Sequence, residues 1–152
     1  MKFKCEDSRL YAEIEDSIVD RIKNVYDINL FEAGGWLFGK YSKDHTTAII
    51  ESFIVLPNIS KDPETNFEFG KTSKQILDEK WDEGQRILGN FHTHPNNSPE
   101  PSLIDSNQSM DFAANEKLNC PQFLLLIMGR DYSTTLHMYT THDELRLVRD
   151  SS

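Results

Sequence analysis

Ile14, Ile18, Ile22 and Val25 recur at intervals of three and four residues, which predicts an amphipathic helix over residues 13–26. The pattern then changes. Residues 35–41 and 46–56 are dense in aromatic and β-branched side chains, among them Ile49, Ile50, Ile54 and Val55, and predict two strands about a turn at 42–45. Residues 57–64 hold Pro57, Asn58 and Pro63 beside two acids and predict a loop, followed by a short strand over 66–69. Ile76, Leu77 and Trp81 give 72–86 a helical spacing, with Thr72 as its N-cap. A strand over 87–92 runs into a proline-rich stretch, and Ser102 opens a helix reaching about residue 117. Three strands close the chain, over 123–128, 134–139 and 144–148. Helices interleaved with strands over 152 residues, with no internal repeat or linker, predict one domain built on a mixed α/β sheet covered by helices.

Charge narrows the partners. Sixteen Lys and Arg against 25 Asp and Glu leave −9, the wrong sign for a phosphate backbone or an anionic membrane surface. The longest apolar run, 123–128, is far short of the roughly 20 residues a membrane span needs, and residues 1–17 have no hydrophobic signal region. With Cys5 and Cys120 as the only cysteines, no disulfide framework is expected, and a reducing cytoplasm is the simplest compartment. Both thiols read as buried or incidental.

The chemistry concentrates in Phe91-His92-Thr93-His94-Pro95. Side chains two apart in an extended chain point to one side, so His92 and His94 can offer two imidazoles to one point. Ser102-Leu103-Ile104-Asp105 begins the next helix, where residues three apart share a face, and Asp105 can supply a third ligand. The same pair also matches a helix-capping pattern that needs no metal; the two roles are compatible at one helix start. Two imidazoles and a carboxylate suit zinc, and three protein ligands leave a coordination position open, as in a catalytic site. His45, His137, His142, Glu51, Glu100 and Asp111 lack such a constellation and read as surface or core residues. Gly34, Gly35 and Gly39 are not followed by the Lys-Ser/Thr of a phosphate loop and read as places where backbone passes close to the pocket.

His92-x-His94-Pro95, six residues, then Ser102-x-x-Asp105 resembles the JAMM motif of the JAB/MPN metalloprotease domain without gap or substitution. Glu32-Ala33-Gly34-Gly35-Trp36-Leu37-Phe38-Gly39 resembles that family's upstream glutamate and Gly-rich strand. The resemblance spans about residues 14–139 and implies a deaminase-like α/β/α sandwich and a zinc-dependent isopeptidase or peptidase. It further implies His92, His94 and Asp105 as zinc ligands, Glu32 as the acid/base, and Ser102 as a hydrogen-bond donor to the oxyanion. Its substrate would be the C-terminal tail of a ubiquitin-like modifier or a conjugate of it, paired along a strand edge. The Glu32-x-Gly34-Gly35 form, the compact length and the Pro101-Ser102 pair look more like bacterial stand-alone members than eukaryotic complex subunits, and some of the former, in antiphage operons beside activating and conjugating enzymes, undo the conjugates those enzymes make. Residues 57–71 could serve as a flap over the site. Two rival readings remain: an MPN-type scaffold that binds without cleaving, and a zinc deaminase. The deaminase expects Pro-Cys-x-x-Cys, whereas this chain has Asn119-Cys120-Pro121.

Overall fold

The apolar run FLLLIM at Phe123–Met128 is buried at every position, so the sheet it belongs to must be covered on both faces. A computed structural model of the chain, which describes residues 1–5, 10–68, 72 and 74–150, shows how. Among the described residues the elements run β1 (Lys2–Cys5), β2 (Tyr11–Ile14), α1 (Asp16–Ile28), β3 (Gly34–Tyr41), β4 (Thr47–Leu56), α2 (Lys74–Asp82), β5 (Arg86–Thr93), α3 (Leu103–Ala114), β6 (Phe123–Met128), β7 (Thr134–Tyr139) and β8 (Glu144–Arg149). The mixed α/β content matches the expectation. The layering does not.

In place of an open sandwich sheet, the strands close into a barrel in the order β1-β2-β4-β3-β5-β6-β7-β8. Closure comes from the two N-terminal strands, which pair with each other and reach β8 on one side and β4 on the other. β2–β4 and β5–β6 are parallel and the other ladders antiparallel. All eight strands send side chains into one core, from Phe3 and Ile14 through Leu37, Phe53 and Phe91 to Leu136 and Leu147. Helix α1 plugs into that core with Ile18, Val19, Ile22 and Val25. The alternate residues of β3, β5, β6 and β7 face outward, where Trp36, Phe38, Leu125, Ile127 and Tyr139 form a second core beneath α3. Helices therefore pack against both faces of the strands that carry the motif.

Several boundaries move for physical reasons. Helix α1 starts at Asp16 because Ile14 is taken by the β2 ladder. Helix α2 starts at Lys74, so its cap position is 73, outside the described residues; Thr72 instead accepts a 2.7 Å hydrogen bond from Trp36 Nε1. Asn66–Glu68 form no strand, and Phe69 lies outside the described residues. Helix α3 ends at Ala114, three residues before Lys117. Cys5 and Cys120 are free and buried, in different cores. Among the described residues no helix is long and apolar enough to cross a membrane.

Candidate metal centre

β5 alternates Phe91 into the barrel core and His92 outward, which sets the direction of the first imidazole. Beyond the strand end, the chain stays extended because its backbone keeps being paired. Thr93 N donates to Ala33 O at 2.8 Å, and His94 N to Met128 O at 2.8 Å. Thr93 Oγ1 accepts from Ala33 N at 3.0 Å. His92 and His94 thus share one side, as their spacing predicts.

The loop after His94 is held by an independent set of contacts. Arg130 Nε and Nη2 both donate to Asn96 O, at 3.2 and 2.8 Å, and Tyr26 OH accepts from Asn96 N at 3.0 Å. Asn96 sits at φ 60°, a region Asn tolerates better than most residues. Beneath the loop, a Cβ on Gly129 would collide with Asn97 O, so glycine is needed for the close approach. The loop then delivers Ser98 O to 3.0 Å from His94 Nδ1. A carbonyl only accepts, so Nδ1 carries the hydrogen and Nε2 turns toward the acids.

Helix α3 brings the carboxylate. Ser102 Oγ accepts from Asp105 N, and Asp105 Oδ2 accepts from Ser102 N, each at 3.0 Å, a complete capping box. Asp105 is 4% exposed, with Oδ1 3.3 Å from His92 Nδ1 and Oδ2 3.2 Å from His94 Nε2. Burial works against its charge, but the hydrogen bonds with both imidazoles outweigh it and hold the carboxyl far below the usual range. His94 has the mirror-image balance: burial lowers its pKa, while Asp105, Ser98 and Glu32 raise it to a net increase.

Glu32 enters from the segment before β3. Its backbone is fixed, with N donating to Pro63 O at 2.8 Å and O accepting from Asn58 Nδ2 at 2.8 Å. Its side chain is not: Oε1 is buried without a hydrogen-bond partner among the described residues and lies 3.7 Å from His94 Nε2. Burial pushes the carboxyl up to about 7, with His94 opposing and Asp105 adding to the rise.

One donor atom from each of Glu32, His92, His94 and Asp105 falls within 4.8 Å of every other. Two ligands about 2.1 Å from a tetrahedral ion stand roughly 3.4 Å apart. Asp105 offers one oxygen to each imidazole near that spacing, Oδ1 at 3.3 Å from His92 Nδ1 and Oδ2 at 3.2 Å from His94 Nε2. Two buried acids facing two imidazoles, one acid oxygen unbonded, make a donor set that a divalent cation would satisfy. The residues fit a metal.

The remaining candidates stay outside this cluster. Glu51 pairs with Lys40 at 3.8 Å and Glu100 with Arg146 at 3.2 Å. His45, His142 and Asp111 are exposed. His137 is buried on β7, where burial lowers its pKa. Ser102 is exposed at the α3 cap. Sequence reading missed the supporting residues Asn58, Thr93 and Arg130. Thr93 could have been flagged by lying between the two histidines; Asn58 shows only an ordinary turn bond to Ser60 locally, and the partners that matter to the site, Glu32 O for Asn58 and Asn96 O for Arg130, are distant in the chain.

Gly34 pairs with His92 across β3–β5, and a Cβ there would collide with Phe91 O and come within 3.2 Å of His92 Cδ2. Gly34→Ala is expected to displace His92, costing about 1–3 kcal/mol of stability as overpacking does. Metal affinity should fall with it. Thermal melting and metal titration of the purified variant check both.

Residues 17–141 match a family model described as prokaryotic homologs of the JAB domain. A CD-NTase/cGAS isopeptidase of Enterobacter hormaechei subsp. hoffmannii is 36% identical over 101 residues, covering 66% of this chain and 56% of that protein. This chain therefore matches little more than half the length of that relative. A protein of Desulfitobacterium hafniense, solved in solution, superposes with TM-score 0.62 at 20% identity over 89% of this chain and 88% of its own. A JAB1/MPN domain protein from Archaeoglobus fulgidus gives TM-score 0.47 at 16% identity, over 80% and 83% of the two chains.

Proposed function

The chain belongs to the family of prokaryotic JAB-domain homologues, and on that premise we propose that it is a zinc-dependent isopeptidase acting at the C-terminal tail of a ubiquitin-like modifier. The observation that carries the reading is the buried group Glu32, His92, His94 and Asp105, which combines a metal-ligand set with one acid left over. His92, His94 and Asp105 would hold the ion, and Glu32 would serve as the proton carrier. Zinc bound there supplies a Lewis acid and brings the pKa of water down to about 7.

The chain's own residues do the rest. Glu32 Oε1, with no competing hydrogen bond among the described residues, takes the proton of the attacking water. It then returns that proton to the departing amine, which is a poor leaving group unless protonated. Ser102 Oγ already accepts from Asp105 N, so its own hydrogen is left to donate to the carbonyl oxygen as negative charge develops there. His94 is kept in one tautomer by Ser98 O throughout. The β2 ladder stops at Ile50, so beyond it β4 carries a strand partner only on the β3 side among the described residues. An extended tail would add along that stretch, whose last residue, Leu56, pairs with Gly34 beside His92.

The name of the Enterobacter relative makes a conjugate of a cGAS-type nucleotidyltransferase the first substrate to try. The test is a set of fusions joining ubiquitin-like modifier tails to a reporter by peptide or isopeptide bonds, with mass spectrometry of the products. Cleavage after the tail that stops on chelation and returns with zinc is expected. Turnover undiminished by thorough chelation, or a purified protein that binds no zinc, would overturn the reading.

A further inference from the structure

Asn58 follows the end of β4 at the start of the segment that wraps Glu32, and its amide is committed to that segment and to Glu32 itself. Nδ2 donates to Glu32 O at 2.8 Å and to Asn66 O at 2.9 Å. Oδ1 accepts from Ser60 N at 3.0 Å and from Glu68 N at 3.3 Å. The same segment returns to accept Glu32 N on Pro63 O at 2.8 Å, and Ile59 N donates to Glu68 O at 3.1 Å. One side chain thus ties both ends of the 58–68 loop together and fastens the loop to the carbonyl of Glu32.

At the carboxylate of Glu32, Oε1 lacks a hydrogen-bond partner among the described residues and meets His94 Nε2 only as an ion pair at 3.7 Å. Its aim is set by where its backbone is held. On the C-terminal side that hold is the exchange between Ala33 and Thr93, which also fixes the chain between the two histidines. On the loop side it is Asn58 and, through the loop Asn58 organises, Pro63. We propose that Asn58 is a positioning residue for Glu32, keeping Oε1 in register with the centre formed by His92, His94 and Asp105. A displacement of about 1 Å at such a point is enough to cost on the order of 10²-fold in rate. The inference rests on the assignment of Glu32 as the proton carrier.

Asn58→Asp keeps the acceptor for Ser60 and Glu68 but loses the donor bonds to Glu32 O and Asn66 O and the longer one to Pro63 O at 3.5 Å; Asn58→Ala loses all five. In steady-state cleavage of a modifier-tail fusion by the zinc-loaded protein, both variants are expected to lower kcat roughly 10- to 100-fold. KM and zinc content should change little. The decisive comparison is a double-mutant cycle. In the Glu32→Gln background, where no proton carrier remains to be aimed, adding Asn58→Asp should lower single-turnover rates no further. A merely structural role would instead lower them by the same factor in both backgrounds. Should Asn58→Ala not fold, Asn58→Asp carries the cycle alone. Wild-type kcat in Asn58→Asp, or equal losses in both backgrounds, would overturn the proposal. Full activity of Glu32→Gln by itself would overturn the underlying assignment instead.

Discussion

Glu32→Gln is expected to retain zinc and the fold while losing cleavage, with kcat falling about 10²- to 10⁴-fold, the range a positioned acid/base contributes. The substitution preserves shape and leaves a carbonyl oxygen able to accept a hydrogen bond, but an amide can neither take up nor deliver the proton. Stability offers a second readout. Oε1 is buried without a partner among the described residues, and burial pushes the carboxyl up to about 7, so the ionised group is costly in the metal-free fold. Removing a desolvated buried acid should leave the melting temperature of the metal-free protein equal or higher. Lost activity together with a lower melting temperature and lost zinc would instead make Glu32 a ligand or a structural group.

Asp105 joins ligation to folding, and two substitutions measure both. Its Oδ2 is shared between His94 Nε2 and the N–H of Ser102, so it serves the metal centre and the helix cap at once. Asp105→Asn keeps a cap acceptor but removes the charge that faces both imidazoles. Zinc affinity should drop by more than the roughly 10- to 100-fold that follows loss of a group merely supporting a ligand, and the metal-free form should melt lower, because the imidazoles that hold the carboxyl far below its usual range make its ionised form stabilising at neutral pH. Asp105→Ala also loses the bond that Asp105 Oδ2 accepts from Ser102 N, while Ser102 Oγ keeps its bond from the backbone N–H of residue 105, and should cost about a further 1 kcal/mol. Isothermal titration with zinc and thermal melting of both variants measure the two effects. Equal zinc affinity in Asp105→Asn and the parent would remove Asp105 from the ligand set.

What could be read from the chain was whatever depends on neighbours a few residues away. His92 and His94 share a side because extended chains alternate, and Ser102 and Asp105 meet because a helix brings residues three apart together. Both are rules of local geometry. The strands at 123–128 and 134–139 were legible for the same reason. β1 and β2 were not: each has four residues, too few for alternation to stand out, and their stability comes from pairing with β8 and β4. That omission turned an expected sandwich into a barrel. Asn58 was hidden in another way, since an Asn after a Pro looks like any turn residue until its partners at 32, 66 and 68 are known.

Barrel closure also constrains how the chain reaches this state. The β1–β8 ladder sets Phe3 against Arg149 and Cys5 against Leu147, near opposite ends of the described chain. Loop-closure entropy makes so distant a pairing slow to form, so the seam between β1 and β8 should be the last ladder to zip. During synthesis it cannot form until β8 has left the ribosome, and meanwhile β1 and β7 each present an unpaired edge. Such edges are templates for intermolecular pairing. The seam that completes the barrel is therefore where premature termination or slow translation would divert the chain into aggregates.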